Sequence, residues 1–319
     1  MTNESRIKYF PISAFSVILG LAGLTIAFQK AVEILNFPID LNVYLLSTTV
    51  LIFAVIFMMY FLKFIMYRDE VKKDFYNPVK LNFFPTFSVA LLLVSIAFIS
   101  SNMMVSKYLW ILGTVIHTYF TYKIISIWSF HPKFEIKHFN PAWFIPVVGN
   151  MLIPVAGIVH FNPEISWFFY SIGFLFWVVL FSIFIYRIIF HHPLPEKLIP
   201  TLAILIAPPA TAFTAYVKLT HQVDSFAKIL YYFALFLITF LLAEYKMFSK
   251  IKFYLSWWAY SFPIASMTIA SVLMYHVTKL VFYKYITILF LAILVVLIII
   301  LIPKTVNGIL KHELCIEED

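Results

Sequence analysis

Ten stretches of 15 to 26 residues run through this chain without one Asp, Glu, Lys or Arg among them. They cover 9–29, 41–62, 81–106, 108–122, 138–163, 165–186, 198–217, 229–243, 253–278 and 285–303. A helix needs about 20 consecutive apolar residues to cross the hydrocarbon core of a bilayer. No water is present there to bond a free N–H or carbonyl, so the backbone must satisfy itself. The runs predict an all-α integral membrane protein with ten transmembrane helices. The fourth and eighth are short and are expected to extend through a flanking Lys or Glu that reaches the interface. Composition agrees: 63% of residues are hydrophobic and 12% charged, where soluble domains carry roughly 25% charged residues.

The remaining charge sets topology. Seventeen of the 23 lysines and arginines fall on the side of the N-terminus and six on the other. The larger group includes Lys63, Lys80, Lys133 and Arg187; the smaller is Lys30, Lys107, Lys218, Lys228, Lys279 and Lys284. In short loops this asymmetry places both termini in the cytoplasm of a multi-pass cell-membrane protein. The net charge of +8 does not indicate nucleic acid, because the lysines are dispersed and form no basic stripe. The first apolar run begins at Tyr9 and is long enough to span, so it reads as a retained helix rather than a cleaved leader. The expected layout is a cytoplasmic N-terminus over 1–8, one channel domain over 9–303 and a cytoplasmic tail over 304–319.

Helix breakers alternate along the spans. The odd-numbered ones hold Pro11, Gly20, Gly23, Pro85, Pro141, Pro146, Gly149, Pro154, Gly157, Pro200, Pro208, Pro209 and Pro263, while the even-numbered ones are read as free of internal proline. A proline leaves a carbonyl without its donor, which lipid cannot repair and a packed neighbour or water can. The odd helices are therefore expected inside, kinked at Pro85, Pro146, Pro208 and Pro263. The result is five helical hairpins with an inner ring of five helices and an outer ring of five straighter ones.

Small and hydroxyl residues recur on these odd spans. Ser13, Ser16, Gly20 and Gly23 step by three, four and three, which is one face of a helix. Pro146, Asn150, Pro154 and Gly157 do the same, Thr211 and Thr214 cluster with Ala207 and Ala215, Ser88 and Ser95 stand a heptad apart, and Ser266 shares a face with Phe262. Each stripe suits close helix packing or the wall of a passage; five on alternate helices favour a shared passage. None contains an ionisable residue, so the acidic signature of a cation or proton path is absent. The pattern fits weak anion binding by hydroxyls, backbone dipoles and helix ends. His117 reads as a hydrogen-bonded packing group. His191 and His192 lack a third ligand at useful spacing, so no metal and no cofactor is expected. There is no phosphate-binding glycine loop and no nucleophile elbow, hence no enzyme. Three arginines, Arg6, Arg68 and Arg187, cannot make a voltage-sensing helix.

Beyond these patterns, particular motifs resemble those of the family of bacterial TehA, plant slow anion channels and fungal dicarboxylate and sulfite transporters. They are Phe10-Pro11 with Leu19-Gly20-Leu21-Ala22, VKKDFYNPV over 71–79, NPAWFIP over 140–146, Ala207-Pro208-Pro209 with Ala215-Tyr216, VDSFAKIL over 223–230, and WWAYSFP over 257–263. The resemblance implies a homotrimer whose protomers each contain a pore, five hairpins in quasi-fivefold arrangement, and a gate formed by the phenylalanine of the last motif, Phe262. Ser16 departs from the family, where a glycine is common. The function this implies is conduction of chloride or nitrate; a carrier exporting a dicarboxylate, sulfite or tellurite-type oxyanion is the alternative.

Overall fold

The computed structural model describes residues 6–132 and 134–316. Lys133 and the outermost residues of both polar ends lie outside the described residues. Among those described there is no strand; the α-helices are α1 (Ser16–Leu35), α2 (Asn42–Met66), α3 (Arg68–Tyr76), α4 (Thr86–Phe98), α5 (Met103–Phe130), α6 (Ile145–His160), α7 (Pro163–Phe190), α8 (Ala207–Thr220), α9 (Ser225–Ala243), α10 (Tyr245–Ser249), α11 (Ser261–Thr278) and α12 (Val281–Leu310). Eight helical segments are long and apolar enough to cross a membrane, counting the 3-10 turns that precede some of them. The other two of the ten expected spans, α5 and α11, are helical but fall outside that set. Lys107, His117 and Lys123 dilute α5, and serines, threonines and His276 dilute α11.

Burial divides the long helices into two classes. In the spans containing α1, α4, α6 and α8, 78–89% of the residues of the most apolar window are buried; for α2, α7, α9 and α12 the share is 6–33%. Most of α11 is buried, while much of α5 is exposed. Each buried helix is followed in the chain by an exposed one packed against it: α1 with α2, α4 with α5, α6 with α7, α8 with α9, α11 with α12. The buried helices also contact one another in turn, α1 on α4, α4 on α6, α6 on α8, α8 on α11 and α11 on α1.

The buried class begins differently from the exposed class. Every one of its members enters through a 3-10 segment: Ile12–Phe15, Lys80–Phe83, Pro141–Phe144, Glu196–Ile206 and Leu255–Tyr260. These leads touch in the same cyclic order as the helices they feed. Pro85 is the last residue before α4, and Pro146, Pro208 and Pro263 lie in the first turns of α6, α8 and α11. A first-turn N–H has no partner within the helix, so proline costs nothing there. The bends expected at these residues are thus changes of helix type at an entrance. Pro154 does stand inside α6, and Pro303 stands inside α12. The latter corrects the reading that even spans lack internal proline. Lys304 ends the apolar run in the sequence, yet the helix continues to Leu310, held in part by Thr305, whose Oγ1 accepts from Trp258 Nε1 at 2.9 Å.

Three of the exposed helices are capped by a side chain where they start. Asn102, Asn162 and Asp224 accept backbone N–H groups of the first turns of α5, α7 and α9, satisfying donors that would otherwise be orphaned. Three buried helices stop on a left-handed residue, Asn36, His221 and Lys279. The chain turns within a few residues at this end of every hairpin.

Candidate functional site

The small and hydroxyl stripes of the sequence all lie on the five buried helices and their leads. Phe262, the second residue of α11, is 7% exposed. Its carbonyl accepts the Ser266 hydroxyl at 3.0 Å. The facing residue of α1 is Gly23, where an added Cβ would lie 3.7 Å from Phe262 Cδ2 and 2.7 Å from the Ala265 methyl. At Gly20 an added Cβ would overlap Ser261 and reach within 3.0 Å of the Trp258 ring. Both glycines therefore let α1 and α11 approach closely, and Gly23 shapes the seat of Phe262.

Ser13 and Ser16 are half-buried at the junction of lead and helix, where Ser16 Oγ donates to the Ser13 carbonyl at 2.6 Å. Thr214 and Thr211 are buried on α8. Thr214 donates to the Ala210 carbonyl at 3.1 Å, whereas the Thr211 hydroxyl has no partner among the described residues.

Other stripe residues direct their polar groups to α5. Ser88 bonds His117 Nδ1 at 2.9 Å, and His117 Nε2 donates to the Pro146 carbonyl at 2.8 Å. Asn150 Nδ2 donates to Thr121 Oγ1 at 3.0 Å and to the Pro146 carbonyl at 2.7 Å. Ser95 donates to the Ser106 carbonyl at 2.7 Å. His117 is thus a hydrogen-bonded packing group joining α4, α5 and α6, and the absence of a side chain at Gly149 leaves room for its ring. Spacing along one helix could not distinguish the face toward the middle from the face toward α5.

At the end holding the termini, sequence reasoning missed Lys63. This buried lysine of α2 donates to Asp74 Oδ2 at 2.6 Å and to the Phe10 carbonyl at 3.0 Å, while Lys80 reaches Asp74 Oδ1 at 3.1 Å. The VKKDFYNPV loop thereby ties α2 to the entrance of α1 and to the lead of α4. The available signal was a lysine closing a span eleven residues before an aspartate. Along the inner α-helices themselves, the charged residues are Lys30, Glu33 and Lys218, all near the opposite end.

Residues 9–306 match the SLAC1 family, described as a voltage-dependent anion channel. The chain belongs to the SLAC1 family. It is 27% identical to an uncharacterized transporter of Methanocaldococcus jannaschii over 98% of both chains. It is 30% identical to the S-type anion channel SLAH3 of Arabidopsis thaliana, covering 82% of this chain and 42% of that one. Identity to the tellurite resistance protein TehA homolog of Haemophilus influenzae is 23%, over 84% of this chain and 83% of the relative. The chain spans about half the length of the plant relative SLAC1, the guard cell S-type anion channel. SLAC1-family membership makes this a multi-pass membrane protein of a family of anion channels and transporters, not an enzyme.

Proposed function

We propose that the chain conducts small monovalent anions, chloride and nitrate among them, through a passage enclosed by α1, α4, α6, α8 and α11. In this reading all ten long helices cross the membrane as five hairpins in quasi-fivefold arrangement, with both termini cytoplasmic and residues 9–303 forming the channel unit. Each protomer of a homotrimer has its own pore, gated by Phe262. The observation that carries the reading is the closed order of contacts among five buried helices that bear no charged side chain before their far ends. An uncharged wall of hydroxyls and backbone dipoles holds an anion weakly enough for it to leave. The five inner helices also start at the same end, so their positive dipole ends face the side richer in lysine and arginine.

Ser13, Ser16, Thr211, Thr214 and Ser266 are the hydroxyl residues assigned to the wall. Phe262 acts as an apolar plug that blocks the ion and breaks the water column. Its support is its burial on α11 against Gly23 of α1, together with the motif that contains it. The reading is tested in planar bilayers under a chloride gradient, with nitrate and malate substitutions. Phe262→Ala is expected to give a current that reverses near the chloride equilibrium potential, and Phe262→Leu to stay largely closed. A silent Phe262→Ala protein that still supports saturable flux in liposomes overturns the channel reading in favour of a carrier of dicarboxylate, sulfite or tellurite-type oxyanion. The names of the archaeal transporter and the TehA homolog keep that second reading in view.

A further inference from the structure

Two of the small-residue stripes end on a lysine. On α1 the face Ser13, Ser16, Gly20, Gly23 continues through Ala27 to Lys30, in steps of three and four. On α8 the face Ala207, Thr211, Thr214 and Ala215 continues to Lys218. Both lysines lie at the end away from the chain termini. Helices α1 and α8 are not consecutive in the cycle of buried helices, since α11 stands between them. Even so, Lys218 lies within electrostatic reach of both Lys30 and Glu33, at the end of the bundle where both helices stop.

The charges at this mouth do not balance. Lys30 forms an ion pair with Glu33, their side chains 34% and 59% exposed. Lys218 is half-buried and makes no hydrogen bond or ion pair among the described residues. A partly desolvated ammonium without a partner is costly, and the one nearby carboxylate is already engaged. A small anion arriving at this end would complete the set.

We propose that Lys218 and Lys30 form a binding site for a small inorganic anion at the far mouth of the passage, with Glu33 as a tethered competitor for the same cations. The site deepens the channel reading and rests on it for its role in conduction, but not for binding itself. It concentrates the permeant ion where the inner helices present their negative dipole ends, which would otherwise repel an anion. Glu33 keeps the affinity low by holding Lys30 until an anion displaces it.

Binding is tested on the full-length wild-type protein in detergent, without any current. Lysines are acetylated with acetic anhydride in chloride or in gluconate at equal ionic strength, and modification is read by peptide mass spectrometry. Chloride is expected to lower Lys218 modification about two- to fivefold relative to gluconate, short of the roughly tenfold at which focused-field enrichment begins because Glu33 competes for the cations. Glu33→Gln is expected to strengthen this protection, and Lys279 and Lys284 are expected to react equally in both salts. Equal Lys218 modification in chloride and gluconate overturns the site. The role in conduction is then read in the Phe262→Ala background. Lys218→Gln should lower conductance about two- to fivefold at low salt, Lys218→Arg should keep it, and the difference should vanish near 1 M salt, where the screening length falls to about 3 Å. Chloride protection with a non-conducting Phe262→Ala supports the site and refutes the channel reading. Conducting Phe262→Ala without chloride protection refutes the site and leaves the channel reading standing.

Discussion

Gly23→Ala adds one methyl group to the contact between α1 and α11. Its Cβ would stand 2.7 Å from the Ala265 methyl carbon. Nonbonded carbons settle at about 3.5–4.0 Å, so the helices must part by about 1 Å or α11 must turn. Overpacking of this kind costs about 1–3 kcal/mol, and alanine's better helix propensity offsets about 1 kcal/mol of it. The expected net loss is about 1 kcal/mol, read as a fall of roughly 2 °C in Tm during thermal unfolding in detergent. Ala265→Gly removes the opposing methyl and alone should cost about as much through propensity. Because the clash disappears when both changes are made, the double variant should be more stable than the sum of the singles by about 1–2 kcal/mol. Phe262 precedes Ala265 by one helical turn on α11, so Gly23→Ala should also raise leak current and the double variant should suppress it. Strict additivity in Tm would refute the close contact. Coupling in Tm without any change in leak would refute the link between this contact and the gate.

Two further outcomes follow from polar contacts at the two ends of the bundle. Lys63→Met leaves Asp74 with one cation instead of two at a buried site and should cost about 3 kcal/mol. Combined with Asp74→Asn, it should cost less than the sum of the two changes, as a denaturation double-mutant cycle would reveal. Asp224 caps α9, and the backbone N–H of Ala227, followed by the Tyr216 hydroxyl, holds its carboxyl below the usual carboxylate range. A depressed carboxyl pKa contributes stability that is present above the unfolded value, near 3.9, and is lost as pH falls through the folded value. The wild-type Tm should therefore drop more steeply than that of Asp224→Asn on acidification below about pH 4; parallel curves would show that the cap carries no proton linkage.

The helices were legible because a bilayer permits so little else. Charge-free runs located every long helix, and the alternation of prolines identified the class that burial now separates. Helix ends were not legible, because α5 runs from Met103 to Phe130 through Lys107 and Lys123, whose long side chains do not stop a helix in a membrane. Nor did the prolines reveal how they are used. A missing N–H is visible in the sequence, but whether it falls in mid-helix or in the first turn depends on where the 3-10 lead ends. Serine stripes posed the same problem laterally. Ser88, Ser95 and Asn150 follow helical spacing as well as Ser13 and Ser16 do, yet bond to α5. The role proposed for Phe262 came from the resemblance, since nothing in periodicity distinguishes it from the chain's other phenylalanines.

A 3-10 helix advances about 2.0 Å and turns about 120° per residue; an α-helix advances about 1.5 Å and turns about 100°. The six residues Leu255–Tyr260 ahead of α11 consequently store about 3 Å of length and about 120° of rotation relative to the same residues wound as α-helix. Phe262 follows two residues later. In the proposed channel the lead is in effect a screw thread behind the plug, set at the end of the bundle where the loops are, so rewinding it would turn the azimuth of Phe262 from outside the passage.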